Sequence, residues 1–382
     1  TICYLFEVIR MNKVLLTATV QSHICQFHKP LMKLLQDNGY EVHVAARNNL
    51  AEKNGLAMEF ADKVFDIPFD RSPFSTKNIK AFKELSKVLA ENEYDFIHTN
   101  TPMGGMVTRL AANKYRKKNG TKVFYTAHGF HFYDGAPKKN WLIYYPIEKM
   151  MSRFTDKLIT ITNEDYNLAT KKFHCDVVHM HGVGANSSKF YVMTDEEKTK
   201  LRDELGYEMD TKIILNVGEL NENKNQKSAI RAMKKVLEKV PNSKLLIAGN
   251  GPELDNHKVL ISELGLEKNV ELLGYTTEIF KYMNICDALV ACSFREGLPL
   301  NLMEAMLCGK PIVASINRGH KELIKDGYNG FLVGSTDIDA YAEKLLEVIE
   351  NPKSFSQNAV EYVKPYTDVC VLEELKELYK VG

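Results

Sequence analysis

The chain holds 382 residues, 45% of them apolar, with a formal net charge of +1. That length exceeds one typical hydrophobic core and points to two domains, while no apolar run approaches the roughly 18 residues that a membrane-spanning helix needs. The near-neutral total conceals an asymmetry, because residues 1–188 hold 25 Lys and Arg against 18 Asp and Glu (+7) and the remainder holds 25 against 31 (−6).

The basic half carries no compact recognition motif, so no nucleic-acid partner is expected. An anionic membrane surface or a phosphorylated acceptor suits it better. Residues 1–10 lack a basic leader and a cleavage site and read as an extension ahead of Met11 rather than a signal peptide. Seven cysteines without a Cys-x-x-Cys pair argue for reduced thiols and a cytoplasmic protein, associated with the inner face of the membrane if the basic surface docks there.

Apolar runs predict strands at Lys13–Val20, Glu41–Ala45, Asp95–Thr99, Lys122–Thr126, Asp156–Thr162 and Asp176–Met180. They recur at Lys212–Val217, Lys244–Ala248, Val270–Leu273, Asp287–Cys292, Pro311–Ser315 and Gly330–Val333. Amphipathic helical stretches separate them, the pattern of doubly wound α/β domains. Turn formers at His181–Ser188 set the boundary, giving an N-terminal domain over 1–188, a second over 189–355 and a helical stretch over 356–382.

Along the first half, the turn after the first strand carries Ser22 and His23, with His23 readable as a cleft contact or as a surface residue at a helix start. Thr126-Ala127-His128-Gly129 closes a strand, and strand C-terminal ends are where open α/β sheets bind ligands, which favours a cleft role for His128 with His131 beside it. A histidine there can bond a sugar hydroxyl or a phosphate without a full charge. Tyr133–Phe154 mixes aromatics with lysines and suits a membrane interface, a carbohydrate–lipid acceptor or plain core packing.

In the second half, Gly218-Glu219 closes a strand ahead of a helix and Lys224 follows near the helix start. Gly249-Asn250-Gly251-Pro252 gives a turn whose glycines admit a base, a phosphate or simply a tight bend. Tyr275 ends the next strand. In Arg295-Glu296-Gly297-Leu298-Pro299-Leu300 a strand turns into a helix expected from Pro299 to Cys308, with Glu304 further along it. Free N–H groups at Gly297 and Leu298 form an anion site, and two flanking carboxylates can accept hydroxyls, which suits a nucleotide sugar. Asp337-Ile338-Asp339 precedes an amphipathic helix and reads as capping, and His179/His181 and His128/His131 lack companion ligands, so no metal is expected.

Four ordered motifs, Thr126-x-His128-Gly129, Gly218-x5-Lys224, Gly249-x-Gly251-Pro252 and Glu296-x7-Glu304, together resemble glycosyltransferase family 4, retaining enzymes of GT-B architecture. The resemblance runs from Met11 over nearly the whole chain. It implies two Rossmann-like domains facing across a cleft, the first binding acceptor and the second donor, with the C-terminal segment crossing back to the first. It further implies that Glu296 meets hydroxyls of the transferred sugar, Glu304 the ribose, Lys224 the diphosphate and the Tyr275 loop the nucleobase edge. Two departures stand out: Glu219 occupies the place of a usual Arg, and Ser22 and His23 replace first-turn glycines. The expected activity is metal-independent transfer from a nucleoside-diphosphate sugar, UDP foremost, to a lipid-linked glycan of a cell-surface polysaccharide. A nucleotide-sugar epimerase on the same fold, or an inactive glycan-binding scaffold, are the alternatives.

Overall fold

A computed structural model describes residues 12–52 and 56–382, so the extension at 1–10 and the start at Met11 lie outside the described residues. Seven strands form the first sheet: β1 (Asn12–Val20), β2 (Tyr40–Arg47), β3 (Lys63–Asp66), β4 (Phe96–Asn100), β5 (Lys122–Ala127), β6 (Lys157–Thr160) and β7 (Asp176–His179). Their order is β3-β2-β1-β4-β5-β6-β7 and every pairing is parallel. The second sheet uses β8 (Lys212–Val217), β9 (Ser243–Ala248), β10 (Val270–Gly274), β11 (Ala288–Ala291), β12 (Ile312–Ser315) and β13 (Gly330–Val333), in the order β10-β9-β8-β11-β12-β13 and again all parallel.

Parallel strands covered by helices on both faces take mostly apolar side chains without alternation, and β1 is buried from Val14 through Val20. That is why these strands were visible as unbroken runs. The strand β3 escaped because it is an exposed edge of four residues with charged ends. In each sheet the chain reverses its direction of growth between β1 and β4 or between β8 and β11, and the carboxyl ends of those strands are where doubly wound sheets bind ligands. Both domains thus have the expected doubly wound α/β fold of the GT-B class.

The chain divides between Val183 and Gly184, and Leu372–Gly382 groups with the first unit. The stretch read as one helical tail over 356–382 is two helices, Pro352–Val363 and Asp368–Tyr379, interrupted where Pro365 and the extended Thr367 end the helical hydrogen bonding. Within the first unit Tyr379 is buried against Phe96 and Phe124, and its hydroxyl lies 2.7 Å from His98 Nδ1. Among the described residues, no helix is long and apolar enough to cross a membrane.

Candidate active site

In the second unit the turn after β8 is built backbone against backbone. A Cβ on Gly249 would lie 1.9 Å from the Gly218 carbonyl oxygen, and one on Gly251 would lie 2.3 Å from that of Leu220. The Gly-x-Gly-Pro glycines therefore let the turn after β9 seat the turn after β8, which is the use their sequence left open. Leu220 is fully buried, and its N–H donates to the Asn250 carbonyl at 2.9 Å. Asn225 takes a left-handed backbone (φ 52°) ahead of the helix Gln226–Lys239, and its side chain donates to the carbonyls of Cys292 and Ser335.

This scaffold sends the Lys224 stem along Gly218 and its Nζ to Glu296 Oε1 at 2.7 Å. Neither side chain is well hydrated, with exposures of 24% and 14%, so Lys224 is no free surface lysine. The pair adjoins a small polar cavity also bordered by Asn216, Gln226, Asn301 and His320. Asn301 donates from its side chain to the Val217 carbonyl at 2.8 Å, joining the second helix residue to the end of β8. The helix runs Leu300–Leu307, not from Pro299, whose extended backbone (ψ 114°) makes it the cap. Gly297 and Leu298 are half-buried in the turn between Glu296 and that cap.

Glu304 lies on the same helix, and burial pushes its carboxyl up to about 7, against a small opposing pull from Lys189. The other donor-side candidates are solvent-facing: Glu219 is exposed with its carboxylate accepting from Asn221, and Asn250 and Tyr275 are exposed. Asp337 caps the helix Ile338–Glu350 through the Ala340 N–H, and Asp339 pairs with Lys235.

The stretch Arg318–Glu322, which the sequence leaves open as a loop reaching the donor or a capped helix start, is the capped helix start and contributes two residues here. A Cβ on Gly319 would collide with Gly297, and His320 is buried with Nδ1 2.8 Å from the Ser315 carbonyl oxygen. Burial pushes the His320 imidazole down to about 4, so it is neutral. The signal for both is Asn317, whose side chain caps the helix Arg318–Leu323 by accepting the His320 N–H.

In the first unit, a cavity of about 630 Å³ opens beside Ser22, His23, Phe27, His131 and Tyr144. Ser22 is tied on both sides by Asn49, through its N–H (3.0 Å) and its hydroxyl (2.9 Å). His131 packs its ring on Tyr144, centroids 4.7 Å apart. His128, at the end of β5, holds its Nε2 3.3 Å from His23 Nε2 and 3.2 Å from Asn100 Oδ1. Burial holds both imidazoles neutral, His128 at about 4 and His23 at about 3, the latter helped by its neighbour His128. The helix Lys138–Met151 divides its side chains: Trp141, Tyr144 and Tyr145 pack on the core around Phe130 and Phe132, while Leu142 and Ile143 face solvent.

Residues 197–364 match the family described as Glycosyl transferases group 1, and residues 13–163 match Glycosyl transferase 4-like. Over 373 residues the chain is 39% identical to a Bacillus subtilis protein named as a glycosyltransferase, EpsD, with 96% of each chain covered. It is 27% identical over 344 residues to the UDP-Gal:alpha-D-GlcNAc-diphosphoundecaprenol alpha-1,3-galactosyltransferase of Escherichia coli, covering 87% of this chain and 88% of that one. In fold it is similar to Anabaena HepE, solved with UDP and glucose, at a TM-score of 0.75 and 21% identity over 97% of this chain and 100% of that one.

Proposed function

The chain belongs to the group 1 glycosyltransferases, and on that premise we propose that it is a retaining, metal-independent enzyme moving a sugar from a UDP-linked donor to a lipid-linked glycan in assembly of a cell-surface polysaccharide. The observation that carries this reading is the Lys224–Glu296 contact of 2.7 Å next to the Gly297 turn. It holds a cation and a hydroxyl acceptor together where the second sheet changes direction.

When a diphosphate arrives, Lys224 swings its charge from Glu296 to the phosphate oxygens. The carboxylate then becomes free to accept hydroxyls of the transferred sugar and turn its anomeric carbon to the acceptor. Reaction breaks the bond from that carbon to the diphosphate oxygen and forms one to the acceptor oxygen on the same face, and the acceptor's proton passes to the departing phosphate. Lys224 and the Gly297 and Leu298 amides stabilise the charge that develops on the leaving group, as preorganised donors do. Glu304 takes the ribose, and His128 and His131 stand on the acceptor side.

The lipid-linked acceptor and the UDP donor draw support from the Escherichia coli relative's name. The exposed Leu142 and Ile143 beside Lys138 and Lys139 support peripheral contact of the first domain with an anionic membrane at its cytoplasmic face. The test is donor turnover. UDP-, GDP- and ADP-sugars are supplied with EDTA and an undecaprenyl-diphosphate-linked acceptor, and released nucleoside diphosphate is measured. One UDP-sugar turned over with the anomeric configuration kept is the expected result. An inverted product, or turnover that requires Mg²⁺, would overturn the reading.

A further inference from the structure

His28 separates the helix Gln21–Phe27 from the helix Lys29–Asp37, at a residue that leaves helical geometry (φ −120°, ψ 8°). That break turns its ring toward His23 and towards His128 at the end of β5. Ring centroids lie 5.4 Å apart for His23 and His28, 4.8 Å for His23 and His128, and 5.9 Å for His28 and His128. One ring nitrogen from each of the three falls within 4.8 Å of the other two.

One of these separations already matches a ligand set. Bonds of about 2.0–2.1 Å from a tetrahedral metal to two imidazoles place the two nitrogens about 3.3 Å apart. His23 Nε2 and His128 Nε2 stand 3.3 Å apart. A proton shared between those two would account for their contact, but it leaves the third ring unexplained. His28 is 6% exposed, and its Nε2 is buried without a hydrogen-bond partner, which is costly for a nitrogen taken out of water. Asn100 Oδ1, 3.2 Å from His128 Nε2, adds an oxygen at the same point.

We propose that His23, His28 and His128 bind one divalent transition-metal ion, Zn²⁺ in preference to Mg²⁺, through one ring nitrogen each. Imidazole suits Zn²⁺, whereas Mg²⁺ demands oxygen ligands. His23 borders the cavity of the first unit, which gives an ion access to the site. The site lies outside the residues assigned to the donor.

Protein without a histidine tag, stripped with EDTA and exchanged into chelator-free buffer, is titrated with Co²⁺ and then Zn²⁺. The expected result is one equivalent of Co²⁺ per chain with the strong visible absorption of four-coordinate cobalt, bleached by one equivalent of Zn²⁺. His28→Gln, His23→Gln and His128→Gln should each weaken Zn²⁺ binding by at least the roughly tenfold that even outer-shell changes cause. His257→Gln, in the second unit, should leave it unchanged. A weak six-coordinate spectrum from the unsubstituted protein, or a strong band that survives all three substitutions, would overturn the proposal. The unsubstituted protein decides alone if a variant does not fold. Because the readout is a spectrum, failure of metal binding and failure of sugar transfer are told apart.

Discussion

A Cβ placed on Gly319 would lie 2.3 Å from the Gly297 carbonyl oxygen and 3.0 Å from the Glu296 Cβ. The start of the helix Arg318–Leu323 thus presses directly on the turn that aims Glu296. Gly319→Ala has to push the two apart, and overpacking of this kind costs about 1–3 kcal/mol. The expected outcome is a lower melting temperature together with roughly tenfold or greater loss of kcat, since each 1.4 kcal/mol at the barrier is a factor of ten. Unchanged melting and turnover would mean that the turn is fixed by something other than this contact.

Lys224 and Glu296 should separate in their kinetics although they touch. On the proposed roles, Glu296→Ala removes the sugar's hydroxyl acceptor and is expected to abolish transfer while UDP affinity, read by calorimetric titration, stays nearly intact. Lys224→Ala removes the phosphate cation, so UDP affinity and kcat both fall, the latter by about 10²–10³ as for loss of one preorganised donor. The double variant should be scarcely worse than the worse single one, because partners in one contact are not additive. Transfer surviving Glu296→Ala would refute the assignment of that carboxylate.

Glu304 sits desolvated at about 7, well above the ordinary carboxylate value, chiefly because of burial. A ribose hydroxyl is accepted best by the ionised carboxylate, so donor KM should fall as pH rises through about 7. Glu304→Gln should weaken donor binding and flatten that dependence. Stability runs the other way. A folded-state value raised above the unfolded one favours the folded state at low pH and loses that advantage as pH rises through 7. Glu304→Gln should therefore raise the melting temperature more at pH 8 than at pH 5. Equal effects at both would show that the carboxyl is not desolvated.

Sequence periodicity was most informative where burial on both faces forces it. The run Lys212–Val217 is β8 to the residue, while the exposed edge β3 had no pattern to show. The motifs around Lys224 and Glu296 were legible as residue types but not as a contact, since the two lie 72 positions apart. The first-turn glycines replaced by Ser22 and His23 have a counterpart elsewhere. Gly104 in the helix Pro102–Asn119 lets that helix approach the end of β1, for its Cβ would lie 2.9 Å from the Thr19 nitrogen. Here the small residue beside the turn sits on a facing element, where reading one turn at a time does not look. His28 drew no comment for the same reason, because its partners are defined only once β5 lies beside the first helix.

Five buried or half-buried histidines should make the fold acid-sensitive well above the carboxylate range. Burial pushes His23 and His98 down to about 3 and His128 and His320 to about 4, and holds His28 well below its ordinary value. His98 illustrates the cause: it is 2% exposed, with Tyr379 on one ring nitrogen and Thr126 on the other, each at 2.7 Å. In the unfolded chain each imidazole takes up a proton near pH 6.5, so below that value the unfolded state binds more protons than the folded one. Full stability is therefore present above 6.5 and is lost as pH falls toward 4, at up to about 1.4 kcal/mol per pH unit for each histidine. Calorimetric melting of the metal-stripped protein should be level from pH 8 to 7 and drop steeply between 6.5 and 5. A melting temperature that holds to pH 5 would mean that these rings are protonated in the folded state.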